Sequence, residues 1–139
     1  MRVILIVAQS IDGFITRHDE PGADWTSPAD KVWFRDCLAG FDAQVMARKT
    51  YDTVRSKILA QPYTGPFRIV MTRRPADYAE DQRPGNLEFS DQPAADIVKR
   101  LSDEGCSDCA LLGGATAHDA FLAAGLVDEL WITIEPRLF

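Results

Sequence analysis

Short apolar, β-branched runs alternate along this chain with amphipathic stretches of helical period. The first run, Arg2 to Ala8 (R-V-I-L-I-V-A), is almost unbroken, the pattern of a strand buried on both faces rather than half solvated. Further runs at Ala43 to Ala47, Phe67 to Thr72, Leu87 to Ser90, Ala110 to Leu112 and Glu129 to Glu135 predict five more strands. Helices are expected from Pro28 to near Gly40 and from Arg48 to about Ala60. Another runs from about Pro93 to Glu104, with Ile97, Val98 and Leu101 inward and Gly105 at its end, and a last one passes through Phe121 and Leu122 and stops at Gly125. Regular alternation of strand and helix predicts one α/β domain over residues 1–139, a mostly parallel sheet covered on both faces. Ligands of such sheets bind at the carboxyl ends of the strands.

The polar stretch from Gln9 to Pro28, with Gly13, Pro21 and Gly22, is long for a connection in a compact domain, which suits a lid or binding loop. It leads into Trp25 to Arg35 (W-T-S-P-A-D-K-V-W-F-R). Ser27 can cap a helix and Pro28 suits its first turn, where a missing N–H costs nothing. Asp30, Phe34, Cys37 and Leu38 then share one face. Buried against aromatic rings without a cation, a carboxyl in that stripe is driven toward its neutral form and can pass on a proton. Asp30 also stands three residues after Ser27, the spacing of a capping box. Spacing leaves both readings open.

Net charge is −6, which excludes a broad phosphate-backbone footprint and hence nucleic acid as partner. The leading apolar run is too short for a signal peptide or a membrane span, so a cytoplasmic protein without a membrane partner is expected. Against this acidic background, Arg48-Lys49 and Arg73-Arg74 each follow a predicted strand. Gly113-Gly114-Ala115-Thr116 lies between a buried strand and a helix, where small residues let backbone N–H groups approach a diphosphate. The coincidence of these three strand ends suggests a dinucleotide with an extra phosphate, NADP(H) rather than NAD(H). Cys106 and Cys109 form a C-x-x-C with no second pair, and His18 and His118 lack finger spacing; the expectation is reduced thiols around a strand start and no metal.

With those residues in view, the whole chain resembles the dihydrofolate reductase superfamily, and within it the branch containing the C-terminal reductase domain of the bifunctional riboflavin-biosynthesis protein. Ser10-Ile11-Asp12-Gly13-Phe14-Ile15 is similar to that branch's S-L-D-G-x-I, and Gly125 to Leu130 with Glu135-Pro136 to its G-L-V-D-E-L…P. Met46 to Tyr51 looks like the superfamily's M-G-R-x-T-[YW], with Ala47 in place of the glycine. The resemblance implies a three-layer α/β/α fold and an NADPH-dependent reductase acting on a pyrimidine or pterin, most closely the aminouracil ribosyl phosphate of riboflavin synthesis. Dihydrofolate reduction and a non-catalytic NADP(H)-binding protein are the alternatives. Ala8 and Ile15 would meet the nicotinamide carboxamide through backbone groups. Arg48, Lys49 and Thr50 would hold phosphates, Thr72 and Arg73 the ribose 2′-phosphate, and Gly113, Gly114, Ala115, Thr116 and Ala117 the diphosphate, with the Gly113–Gly114 peptide cis. Asp30 falls on the catalytic carboxyl, Thr133 on the threonine linked to it, and Phe34 on the ring that stacks against substrate. Pro66 occupies the place of the arginine that grips the glutamate tail of dihydrofolate, leaving Arg68 as substitute; Arg35 or Arg68 is the candidate for a substrate phosphate. Gly113 stands where the riboflavin enzyme has a glutamate, and His118 where an aromatic residue nears the nicotinamide. The closing hairpin that such a fold carries beyond Phe139 is missing from the sequence, and the partners implied are a small-molecule substrate and a second copy of the chain.

Overall fold

The computed structural model describes residues 1–20 and 22–139. Pro21, one of the expected loop breakers, lies outside the described residues. The strands are β1 (Arg2–Ser10), β2 (Ala43–Ala47), β3 (Phe67–Met71), β4 (Leu87–Ser90), β5 (Asp108–Gly113) and β6 (Glu129–Glu135), and the helices α1 (Pro28–Leu38), α2 (Arg48–Leu59), α3 (Ala94–Asp103) and α4 (Ala115–Ala123). They form one sheet in the order β4-β3-β2-β5-β1-β6, and every pairing in it is parallel. The apolar β1 lies inside the sheet, hydrogen-bonded to β5 on one side and β6 on the other.

Alternation along β1 divides the core in two. Val3 and Leu5 join Val45, Ile69 and Leu111 under Ile97, Leu101 and Phe121 of α3 and α4. Ile4 and Ile6 face the other way, against Phe34, Cys37 and Leu38 of α1, so three members of the predicted α1 stripe do pack inward. On that same face Tyr51 and Ile58 of α2 cover Met46, Val70 and Leu87. The result is the expected three-layer α/β/α arrangement. Among the described residues, no helix is long and apolar enough to cross a membrane.

Coverage is incomplete at β6. Its Trp131 packs toward α1, whereas Leu130, Ile132 and Ile134 on the opposite face are 54 %, 46 % and 63 % exposed. The expectation that helices cover both faces fails here because α4 lies over β5 and β2 rather than over the edge strand. The residues after β6 turn back on the long loop: Ile11 N–H donates to the Arg137 carbonyl at 2.9 Å, and the Phe139 N–H reaches the Asp12 carboxyl at 3.0 Å.

A 3₁₀ segment, Pro75–Asp81, occupies what reads in sequence as a plain loop. Its anchors are distant in sequence. Tyr51 Oη donates to Asp81 at 2.7 Å, and Arg55 donates through Nε and Nη2 to both Asp81 oxygens at 2.7 Å each. Tyr78 stacks on Phe89 with ring centroids 4.7 Å apart. The Arg55 hydrogen bonds, opposed by burial and helped by the Tyr51 hydroxyl, hold the Asp81 carboxyl below its ordinary pKa.

Because that pKa is depressed on folding, the stability Asp81 contributes is complete above the ordinary aspartate range and is lost as pH falls through the depressed value. Asp81→Asn is expected to cost about 1–3 kcal/mol at neutral pH and to flatten the acid limb of stability, as measured by urea unfolding across pH.

Candidate functional site

All six strands point their carboxyl ends to one rim, and a cavity of about 950 Å³ opens there, within the size range of small-molecule and cofactor sites. Three strand-to-helix junctions and the long loop build it. After β2, Arg48, Lys49 and Thr50 form the first turn of α2; after β3 come Thr72, Arg73 and Arg74; after β5, Gly114, Ala115 and Thr116 lead into α4. Ile15 and Thr16 close the wall from the loop.

Most of the residues expected to meet a dinucleotide are thus brought together, although they come from segments far apart in sequence. Arg48 is tied to Asp52 at 3.0 Å, one turn along its own helix. Lys49, Arg73 and Arg74 form no ion pair among the described residues. Asp19, Glu20 and Asp77 also contribute acids to the wall, none of which stood out in the sequence. Tyr78 is a further lining residue that sequence reasoning missed, because the segment carrying it has no helical or strand periodicity.

The glycine pair is built for close approach. Gly113 ends β5 with φ +114°, and the peptide joining it to Gly114 is cis. A Cβ at Gly113 would come within 3.3 Å of His118 Nε2. His118 lies beneath this turn rather than in the cavity lining: it is 9 % exposed, its Nε2 has no hydrogen-bond partner among the described residues, and burial pulls its pKa down. It is a locally packed imidazole. Ala117 does not line the cavity either: it is fully buried on the inner face of α4, because the helical period turns it toward the sheet.

Asp30, Phe34 and Thr133 do not line the cavity. Asp30 and Phe34 stand on α1 and Thr133 on β6, the two elements that meet over β1. Ala8 is level with Thr133, and Ser10 with Glu135, in the β1–β6 ladder. Ser10 N–H donates to the Phe14 carbonyl at 2.8 Å, one residue before the cavity-lining Ile15, so the two regions adjoin through the end of β1. Asp30 is half-buried, and no residue of α1 is fully buried. The sequence expectation of an acid sealed against aromatic rings is corrected accordingly, since α1 lies across the sheet margin and keeps its first turn near solvent.

The capping-box reading of Asp30 is half right. Ser27 Oγ accepts the Asp30 N–H at 3.1 Å. The reciprocal bond to the Ser27 N–H comes from Glu135 Oε1, at 3.1 Å. Arg68 is also corrected: at the start of β3, three residues before Met71, it is buried and donates to Gln44 and Gln61 at 3.1 and 2.8 Å, with burial and Arg83 lowering its pKa. It is not available to a substrate phosphate or glutamate tail in the cleft. Arg35 is exposed beside Asp36. The cysteines are free, and burial pushes the Cys109 thiol up to about 12, contrary to the lowered pKa of a reactive dithiol.

Fold and cleft together define an α/β domain of the dihydrofolate-reductase-like kind. The chain belongs to the RibD C-terminal domain family, which matches it over residues 1–139. Among solved structures, a putative riboflavin biosynthesis protein from Shewanella sp. PV-4 superposes with TM-score 0.67 at 25 % identity, over 99 % of this chain and 78 % of that one. The diaminohydroxyphosphoribosylaminopyrimidine deaminase/5-amino-6-(5-phosphoribosylamino)uracil reductase of Thermotoga maritima shares the fold, with TM-score 0.76 at 17 % identity, over 99 % of this chain and 45 % of that one. The uncharacterized Bacillus subtilis protein YwjB is 26 % identical over 97 % of this chain and 76 % of its own length. A second uncharacterized B. subtilis protein, YyaP, is 27 % identical over 97 % of this chain and 74 % of its own.

Gly113→Ala is expected to destabilise the protein by roughly 1–3 kcal/mol, because an L side chain at this φ is strained and its Cβ meets His118. The drop should appear as a lower midpoint in thermal melts.

Proposed function

We propose that this domain is an NADPH-dependent reductase acting on an aminopyrimidine of the riboflavin-synthesis type. The observation that carries the reading is the cavity at the strand carboxyl ends, where Lys49, Arg73, Arg74 and the first turn of α4 converge in a chain of net charge −6. Cations without ion pairs among the described residues, beside a helix N-terminus, suit a polyphosphate, and the dinucleotide fits this donor set. Arg48, Lys49 and Thr50 would hold phosphate oxygens from one side, and Gly114, Ala115 and Thr116 from the other. Thr72 and Arg73 would take the 2′-phosphate that separates NADPH from NADH. Ala8 and Ile15 are the residues for the carboxamide.

When bound, NADPH supplies the hydride. The protein's own part is to hold the acceptor ring, keep it oriented and deliver a proton. Asp30 is the proton source, half-buried at the start of α1 where it can be recharged from solvent. Thr133, on β6 level with Ala8, would orient the substrate and the acid. Phe34, packed on the core from α1, offers the aromatic surface for a flat ring. The burial of Arg68 favours the aminopyrimidine over dihydrofolate, because no arginine then remains at the expected place to grip a glutamate tail.

Arg73→Ala is expected to weaken NADPH binding ~10- to 100-fold, the loss of a charge-assisted hydrogen bond, while NADH binding changes less than threefold in fluorescence titrations. Asp30→Asn should lower turnover of the aminouracil ribosyl phosphate by ~10²- to 10⁴-fold with NADPH affinity retained. Wild-type turnover by that variant would leave Asp30 only a structural role. Tight NADPH binding with no oxidation by any aminopyrimidine or pterin would replace the reductase reading with that of a nucleotide-binding protein.

A further inference from the structure

The last residue of β6 is hydrogen-bonded to the N-cap of α1. Glu135 is 4 % exposed and forms no salt bridge among the described residues. The pleat of β6 turns Trp131, Thr133 and Glu135 to the face that α1 covers, so the side chain at 135 arrives under the helix start. Its Oε1 accepts two hydrogen bonds from one residue, the Ser27 N–H at 3.1 Å and the Ser27 hydroxyl at 3.0 Å. Because the hydroxyl proton is committed to Glu135, the lone pairs of Ser27 Oγ are turned toward the Asp30 N–H, 3.1 Å away.

A serine N-cap ordinarily chooses among rotamers, and a free hydroxyl ordinarily rotates. Both freedoms are removed here by an acceptor from a strand 108 residues away. The geometry points to Glu135 as a positioning residue: through Ser27 it sets where α1 begins and hence where the carboxyl of Asp30 stands relative to Thr133. The catalytic part of this assignment rests on the reductase reading; the structural part does not. Displacing a reacting group by even about 1 Å can cost on the order of 10²-fold in rate, so a device that locates the helix start to a single hydrogen-bonded rotamer has a reason to be buried. It also accounts for the missing half of the capping box, because the Ser27 N–H that a residue-30 side chain would take is already occupied.

Three variants separate the positions of acceptor and charge. Glu135→Ala removes the acceptor, Glu135→Gln keeps one, and Ser27→Ala removes the link. In Glu135→Ala and Ser27→Ala the Asp30 amide is expected to exchange with solvent ~10-fold faster or more, the loss of about one hydrogen bond. Amides at the start of α4 should be unchanged, and Glu135→Gln should stay within about threefold of wild type. With NADPH and the aminouracil substrate, Glu135→Ala should lose ~10- to 100-fold in kcat with NADPH affinity unchanged, Gln should restore most of it, and in an Asp30→Asn background the Ala substitution should have no further effect. Wild-type exchange at Asp30 in Glu135→Ala overturns the proposal whatever the activity. An equal kcat loss in the Asp30→Asn background overturns the positioning role as well. Absence of turnover in the wild type would instead count against the reductase reading, while the exchange result still decides the role of Glu135.

Discussion

An all-parallel sheet obliges every strand to end on the same rim, and everything of interest in this protein follows from that constraint. Parallel strands cannot be joined by tight hairpins, so each connection must cross back over a face and usually does so as a helix. Here β1 is the hinge of the arrangement, bonded to β5 and β6 while its alternating side chains seed both halves of the core. Once β1 is buried in this way, the turns after β2, β3 and β5 have no choice but to face one another across the cavity. The basic residues in those turns are close only because the strands beneath them are parallel.

The same constraint sorts the polar groups. Where a side chain falls at the amino end of a strand it is taken into structural service, as with Arg68 bonded to Gln44 and Gln61 at the start of β3. Where it falls past the carboxyl end, no neighbouring strand claims it, and Lys49, Arg73 and Arg74 remain without ion pairs among the described residues. The same cleft is lined by the acids Asp19, Glu20 and Asp77, yet cations outnumber them there in a chain that is negative as a whole. The buried Asp81, by contrast, is held by Arg55 and Tyr51 and shapes the segment that presents Tyr78 to the cleft.

Two regions of opposite character adjoin at the end of β1. On the cavity side, backbone groups and cations dominate. On the α1 side stand Ser27, Asp30 and Glu135, where one hydrogen-bonded serine links the edge strand to the helix. The outward face of that edge strand, with Leu130, Ile132 and Ile134, has no such support. The inward face is therefore specified by polar contacts as well as by packing, and the outward one by neither.

Much of this was legible in the residues themselves. Runs such as R-V-I-L-I-V-A announce a two-sided buried strand because only a strand covered on both faces can keep successive apolar side chains out of water, and the Ser27-Pro28 start of α1 follows from local capping chemistry. The glycines and basic doublets after strands mark the rim for the same local reason. What pattern could not supply is direction over distance. Ala117 turns into the core and Arg68 into an amide cage, the 75–81 segment is folded by anchors 26 and 30 residues upstream, and Ser27, the cap of α1, is held from a strand more than a hundred residues away. Local propensity chose the elements and their order; which face each side chain presents, and to whom, was decided only when packing brought remote segments within hydrogen-bonding reach.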